Sequence, residues 1–320
     1  MFDAVLVISF GGPQGHDDIR PFLANVLRGR RVSPERVEEV ANHYELFGGV
    51  SPITELTRRQ ANGLRDRLGA AGRPLPVYVG MRNWHPYLTD TLKQMRADGV
   101  RRAIGFIAAA HHSYSSCQQY RENVAAAQQE LRRDGSSVEI TFVDSWFDHP
   151  HFIAANAAHV RDALNRLPAN VRAEARIVFT AHSIPKAMAD ASRYEHQLST
   201  SCAAIAADVG RRWALVYQSR SGRPQDPWLE PDVCDYLRQE RERGLVAAVI
   251  CPVGFVCDHI EVLYDLDREA ADVCASISLP MTRAAAVNDD PLFIDMMADV
   301  VLRTIRRYET GRPLPIVSRG

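Results

Sequence analysis

The sequence predicts an α/β protein of two doubly wound parallel-sheet domains, and three observations carry that prediction. Short apolar, β-branched runs recur along the chain, segments with helical spacing of apolar residues lie between them, and 320 residues are enough for about two domains of ordinary size. The runs are AVLVISF from Ala4, VYVGM from Val77, AIGFIAAA from Ala103, EITFVDSW from Glu139, ARIVFTA from Ala175, WALVYQS from Trp213 and VAAVICPVGF from Val246. They are continuously apolar rather than alternating, as strands covered on both faces must be. Amphipathic stretches such as Ile53 to Leu68 and Ser116 to Arg132 supply the crossovers, which should be right-handed. The boundary is placed between Asp144 and Pro150, giving domains 1–146 and 147–320, with a final helix at 290–307 that can pack back on the first domain.

Composition narrows the class of function. With 46% hydrophobic and 24% charged residues, the chain reads as a packed globular enzyme. A formal net charge of -1 provides no long-range field to gather nucleic acid or anionic lipid, so partners should be small or locally recognised. The start, MFDAVLVISFGGPQG, has no basic segment before its apolar run, and that run stops at Gly11-Gly12. It therefore reads as a buried first strand rather than a signal. No apolar stretch approaches the roughly 20 residues that span a bilayer, so a cytoplasmic protein is expected. The cysteines, Cys117, Cys202, Cys234, Cys251, Cys257 and Cys274, are dispersed without a CxxC pair and read as reduced core thiols.

In open α/β sheets ligands gather beyond the carboxyl ends of the strands, and the unusual residues of this chain stand there. Phe10-Gly11-Gly12-Pro13 follows the first run, His111 to Ser115 the third, His182-Ser183-Ile184-Pro185 the fifth, Gln218-Ser219 the sixth and Gly254-Phe255 the seventh. His182, beside a turn stiffened by Pro185, can bind a metal or take a proton near neutral pH; position alone equally allows a histidine bonded to its own turn. In CDHIEVLYDLDREA, from Cys257, Glu261, Asp265 and Glu269 share one stripe of a helix, with Asp258 close to the same face. A solvated face of an amphipathic helix has the same pattern. In YQSRSGRPQDPWLEPDV, from Tyr217, Ser219, Gly222 and three prolines make an ordered loop on which Trp228 is either core or pocket wall. The FGGP turn is not a dinucleotide fingerprint. His111 and His112 are adjacent, so at most one should reach the cleft.

Taken together, these segments resemble the ferrochelatase family, and within it the bacterial branch that acts on coproporphyrin. The resemblance runs from LVISFGGP at Leu6, through YELFGGVSP at Tyr44 and TAHSIP at Thr180, to DPWLEPDV at Asp226 and PVGFVCDHIEVLYDLD at Pro252. It implies two Rossmann-like, chelatase-like domains around a porphyrin cleft. By the resemblance, His182 and Glu261 face the metal and are catalytic. Asp265 and Glu269 line a hydrophilic route for iron or protons. Ser51 and Tyr120 bond the porphyrin, Tyr44 and His43 lie near its carboxylates, and Ser183, Gln218, Ser219 and Trp228 form a cleft loop. Phe10 departs from the pattern, standing where some bacterial members have an iron-coordinating tyrosine.

The resemblance also implies the partners: coproporphyrin III and Fe²⁺ as substrates, with transient contacts to other enzymes of haem synthesis and no permanently bound cofactor. A monomer is expected. Some relatives hold a 2Fe–2S cluster with C-terminal cysteines, but here none follows Cys274, and Cys117 alone cannot hold one. Protoporphyrin IX as substrate, another metal, or a non-catalytic porphyrin or haem carrier are the rival readings.

Overall fold

The computed structural model describes residues 1–29, 32–133, 135–221 and 225–311. All seven apolar runs form strands: β1 (Ala4–Ser9), β2 (Val77–Met81), β3 (Arg102–Ile107), β4 (Glu139–Phe142), β5 (Arg176–His182), β6 (Trp213–Gln218) and β7 (Ala248–Cys251). An eighth, β8 (Met281–Arg283), is too short and too mixed in composition to be seen by patterning. The strands build two parallel four-stranded sheets, β2-β1-β3-β4 and β6-β5-β7-β8. The two orders are the same, and each places a topological switch point between its first and third strands, where a ligand crevice opens beyond the carboxyl ends.

Both faces of each sheet are covered, which accounts for the continuous apolar runs. On β1, Val5 and Val7 point into a core that lies between the two sheets, while Ala4, Leu6 and Ile8 point into an outer one. On β7, Val249 and Cys251 join that same inner core, and Ala248 and Ile250 turn to the outer core of the second sheet. The inner core is shared by the halves: the helices Ile53–Ala70, Pro150–Arg166, Tyr194–Val209 and Pro291–Glu309 fill the space between the sheets. Each fully buried aliphatic or phenyl side chain there stabilises the fold by about 1.5–3 kcal/mol, so opening this layer would be costly.

The Pro291–Glu309 helix lies along the Ile53–Ala70 helix, with Arg67–Asp295 and Arg73–Glu309 ion pairs at its edge. Its last turn pairs Arg307 with Asp144 of the first half. The buried amide of Gln60 adds a polar tie, donating to the Asn288 carbonyl at 2.7 Å and the Val256 carbonyl at 3.3 Å. Among the described residues, no helix is long and apolar enough to cross a membrane.

Candidate functional site

Both switch points require glycine. A Cβ on Gly12 would lie 2.5 Å from Ser51 Cβ, and one on Gly254 would lie 2.6 Å from the Ala181 backbone. These contacts let the turns beyond β1 and β7 press close to their neighbours and leave the side chains around them to define the space.

His182 ends β5 and pairs in register with Gln218 of β6. Its Nδ1 lies 2.5 Å from the Ser183 carbonyl oxygen. A carbonyl only accepts, so Nδ1 carries the hydrogen, and in the neutral ring Nε2 presents a lone pair. That Nε2 is 3.9 Å from Glu261 Oε2. Two acceptors therefore face each other, an arrangement that suits a cation between them.

Glu261 lies in the first turn of the Ile260–Tyr264 helix, whose N-cap is His259. Burial pushes the Glu261 carboxyl up, but His259 Nε2 donating at 3.3 Å, together with the positive charge of His182 and His259 when protonated, brings it down to about 2. The other ring nitrogen of His259, Nδ1, is buried without a hydrogen-bond partner. The helix then changes type: Asp265–Ala270 is a π-turn, and Ala271–Ser276 resumes the α form. The wider turn keeps residues four apart nearly in line, so Asp265 and Glu269 stay on one side, where a straight α-helix would let the stripe drift.

Asp265 is held by the second sheet's edge. Ser219 Oγ donates to Oδ2, as does Gln218 Nε2 at 3.2 Å, and the same amide reaches the Glu261 carbonyl at 3.2 Å. Ser219 adopts φ 59°, a left-handed conformation uncommon for serine, which is the kind of backbone strain that collects at functional sites. Burial, offset in part by the Ser219 bond and reinforced by Glu261 and Glu269, raises the Asp265 carboxyl to about 7. Glu269 is more exposed, and it too is raised by burial and by Asp232. Asp258 does not join the stripe. Its carboxylate is turned away to Arg283, Asn288 and the Ala286 amide, because it precedes the helix rather than lying on it.

Ser183 is buried, its hydroxyl donating to the Leu229 carbonyl at 2.9 Å. Trp228 is half-buried and bridges Pro185 in antiparallel fashion, so its loop runs back along the His182 turn. Gly222 and Pro224 of that loop lie outside the described residues. Residues of the first half approach the helix of Glu261. Phe10 packs at the meeting point of three hydrophobic clusters, edge-on to Phe22, with Arg82 over its ring. Tyr44, Tyr120 and Ser51 are buried nearby. Burial pushes both phenols up; Arg82 opposes the rise at Tyr120, and the charge of Glu261 reaches both from the second half. His43 stacks on Tyr264 at 3.5 Å, placing the Pro34–Glu45 helix directly against the helix that carries Glu261. Of the adjacent histidines, His111 is buried against Phe152 and bonded to Ser201, and desolvation pulls it down to about 3; His112 is exposed.

Two residues escaped the sequence reading. His259 stood inside a motif already singled out, and its signal was a histidine two positions before the key glutamate at a helix start. Arg82 follows β2, a strand end to which the reading assigned nothing; its guanidinium lies over Phe10 at 5.8 Å and Tyr120 at 5.5 Å.

The family model described as ferrochelatase matches residues 2–305. A protein named ferrochelatase from Rhodopirellula baltica is 48% identical over 302 residues, covering 94% of this chain and 85% of that protein. A coproporphyrin III ferrochelatase from Streptomyces griseus subsp. griseus is 48% identical, covering 100% of this chain and 89% of its own length. One from Mycolicibacterium smegmatis is 44% identical, covering 98% and 94%. Among solved structures, the sirohydrochlorin chelatase SirB from Bacillus subtilis subspecies spizizenii, in complex with cobalt, aligns with a TM-score of 0.58 at 10% identity, covering 97% of this chain and 98% of that one, a likeness of fold. With a family match that runs from the first strand into the last helix and relatives this similar across nearly their whole lengths, this chain belongs to the ferrochelatase family.

Proposed function

We propose that the protein inserts Fe²⁺ into coproporphyrin III, forming coprohaem in the cytoplasm as a monomer, with domains 1–146 and 147–320 as the two walls of the cleft. The observation that carries this reading is the opposition of His182 Nε2 and Glu261 Oε2 across 3.9 Å, lone pair to lone pair, at a switch point of the second sheet. The relatives from Streptomyces griseus and Mycolicibacterium smegmatis, both named for coproporphyrin III, favour that porphyrin over protoporphyrin IX.

In this reading the macrocycle lies between Phe10, Ser51, Tyr44, His43 and Tyr120 on one side and the His182–Glu261 pair on the other. A cleft that fits a bent ring better than a flat one tilts the pyrrole nitrogens toward the arriving ion. Fe²⁺, as substrate, loses water to a mixed nitrogen and oxygen ligand pair before passing to the four nitrogens. Two pyrrole protons must leave. Glu261 already accepts from His259 Nε2, so it acts as ligand and counter-charge while the open lone pair of His182 Nε2 takes a proton. The resulting imidazolium is stabilised by the facing carboxylate. Asp265, at about 7, can both accept and release a proton near neutrality, so the first proton passes from His182 to Asp265 and outward past Glu269, and His182, neutral again, takes the second by the same route. No resident cofactor takes part, and other enzymes of haem synthesis would meet this one only transiently.

The test is anaerobic absorbance spectroscopy of the purified protein with Fe²⁺ and coproporphyrin III, run beside protoporphyrin IX. Conversion of the coproporphyrin spectrum to that of coprohaem, faster than with protoporphyrin, is the expected result. Porphyrin binding without conversion would leave a carrier, and a preference for protoporphyrin would remove the branch assignment.

A further inference from the structure

The helix that carries Glu261 and Asp265 is gripped from behind by one side chain of β8. Arg283 Nη1 donates to Asp258 Oδ1 at 2.7 Å, ahead of the helix, while Nε and Nη2 form a fork on Asp267 at 2.6 and 2.8 Å. Asp267 belongs to the Asp265–Ala270 π-turn. One guanidinium thus ties the approach to the helix to its π-turn, with Glu261 between the two anchor points. The side chain of Arg283 is 15% exposed and that of Asp258 16%, so this bond is sheltered and charge-assisted; the Asp267 carboxylate, at 36%, is more open, and its two-bond fork gives that anchor its geometry.

The anchors are themselves fixed. Arg283 pairs with Ile250 of β7, so the guanidinium is mounted on the sheet. Asp258 exchanges two hydrogen bonds with Asn288, each 2.8 Å, and Asn288 in turn accepts from Gln60 of the first half. A π-turn is rare beside the α form and persists where something outside the helix favours it. Losing its extra residue would rotate the segment before it, which carries Glu261, by about 100° relative to the segment after it.

We propose that Arg283 is a positioning residue that holds the π-turned form of this helix, and so the aim of Glu261 at His182, by clamping Asp258 and Asp267 together. The proposal rests on the reading of His182 and Glu261 as the metal-insertion pair. Its partners are chosen for a fork: lysine would keep the charge but reach only one carboxylate at a time.

The experiment compares wild type, Arg283→Met, Arg283→Lys and Asp267→Asn in two assays: binding of Co²⁺ alone by calorimetry, and kcat and KM for Fe²⁺ with coproporphyrin III. For Arg283→Met the expected result is a loss of about 10- to 100-fold in Co²⁺ affinity and in kcat/KM for Fe²⁺, with porphyrin affinity unchanged. Arg283→Lys should recover only part of the loss, and Asp267→Asn added to Arg283→Met should cost little more. A purely structural role would lower the folded fraction and leave the Co²⁺ affinity of the folded protein untouched. That result, in folded Arg283→Met or, should it not fold, in Asp267→Asn, would overturn the proposal. Wild-type protein that binds Co²⁺ but inserts no iron would defeat the functional reading, while the Co²⁺ assay would still decide the clamp.

Discussion

At the carboxyl ends of the first sheet stand a phenyl ring, a serine hydroxyl and two buried phenols, Phe10, Ser51, Tyr44 and Tyr120. The second sheet, with the same strand order, puts an imidazole and carboxylates, His182, Glu261 and Asp265, at its own ends. The scaffolds match in topology down to the close-packed glycine at each switch point. They differ in where the carboxylates stand: Glu261 and Asp265 both belong to the second. In the proposed reading one wall holds the macrocycle by contact and hydrogen bonds, and the other moves charge. A repeated fold therefore places two sites face to face and leaves their chemistry to a few side chains.

The sharpest way to break this comparison is to neutralise the charge-moving wall. His182→Ala should lower kcat by about 10²- to 10⁴-fold, the range for loss of a positioned base, with porphyrin affinity nearly unchanged by fluorescence quenching. Wild-type turnover in that variant would end the division of labour between the walls.

Asp265 offers a finer test through pH. Its carboxyl sits at about 7 in the folded protein against 3.8 for an ordinary aspartate, so the folded state binds the proton more tightly. The stability associated with that proton is fully present below about pH 4 and is lost as pH rises to about 7. Asp265→Asn should therefore raise Tm at pH 8 and change it little at pH 4, while flattening the rise of kcat through neutrality. Thermal melts at both pH values, with a pH–rate profile, check the two halves of the prediction; a Tm gain at pH 4 equal to that at pH 8 would contradict it.

The smallest effect belongs to the contact wall. Tyr120→Phe removes the hydroxyl proposed to bond the porphyrin and should weaken porphyrin binding by about two- to tenfold, leaving kcat within a factor of about two. A large kcat loss there would show that the first half takes part in the proton chemistry.

Much of the fold was legible because burial on both sheet faces writes itself as uninterrupted apolar runs. β8 was not, since three half-buried residues carry no period. The stripe of Glu261, Asp265 and Glu269 was legible as spacing, but spacing of four cannot distinguish an α-helix from one with a π-turn. That choice depends on bonds from Arg283, distant in sequence. Asp258 was misplaced for the same reason: its partners come from β8 and the segment after it.

The sequence by itself determined the two βα repeats, the strand-end positions of the unusual residues and the family they resemble, because those follow from local periodicity and contiguous motifs. Only the tertiary structure decided that the halves share one inner core, that His182 turns Nε2 toward Glu261, that His259 bonds Glu261 and Arg82 lies over Phe10 and Tyr120, and that burial raises Asp265 to about 7. Each of these depends on which groups the folded chain brings together, and the strength of charge and hydrogen-bond interactions is set by that meeting rather than by residue identity.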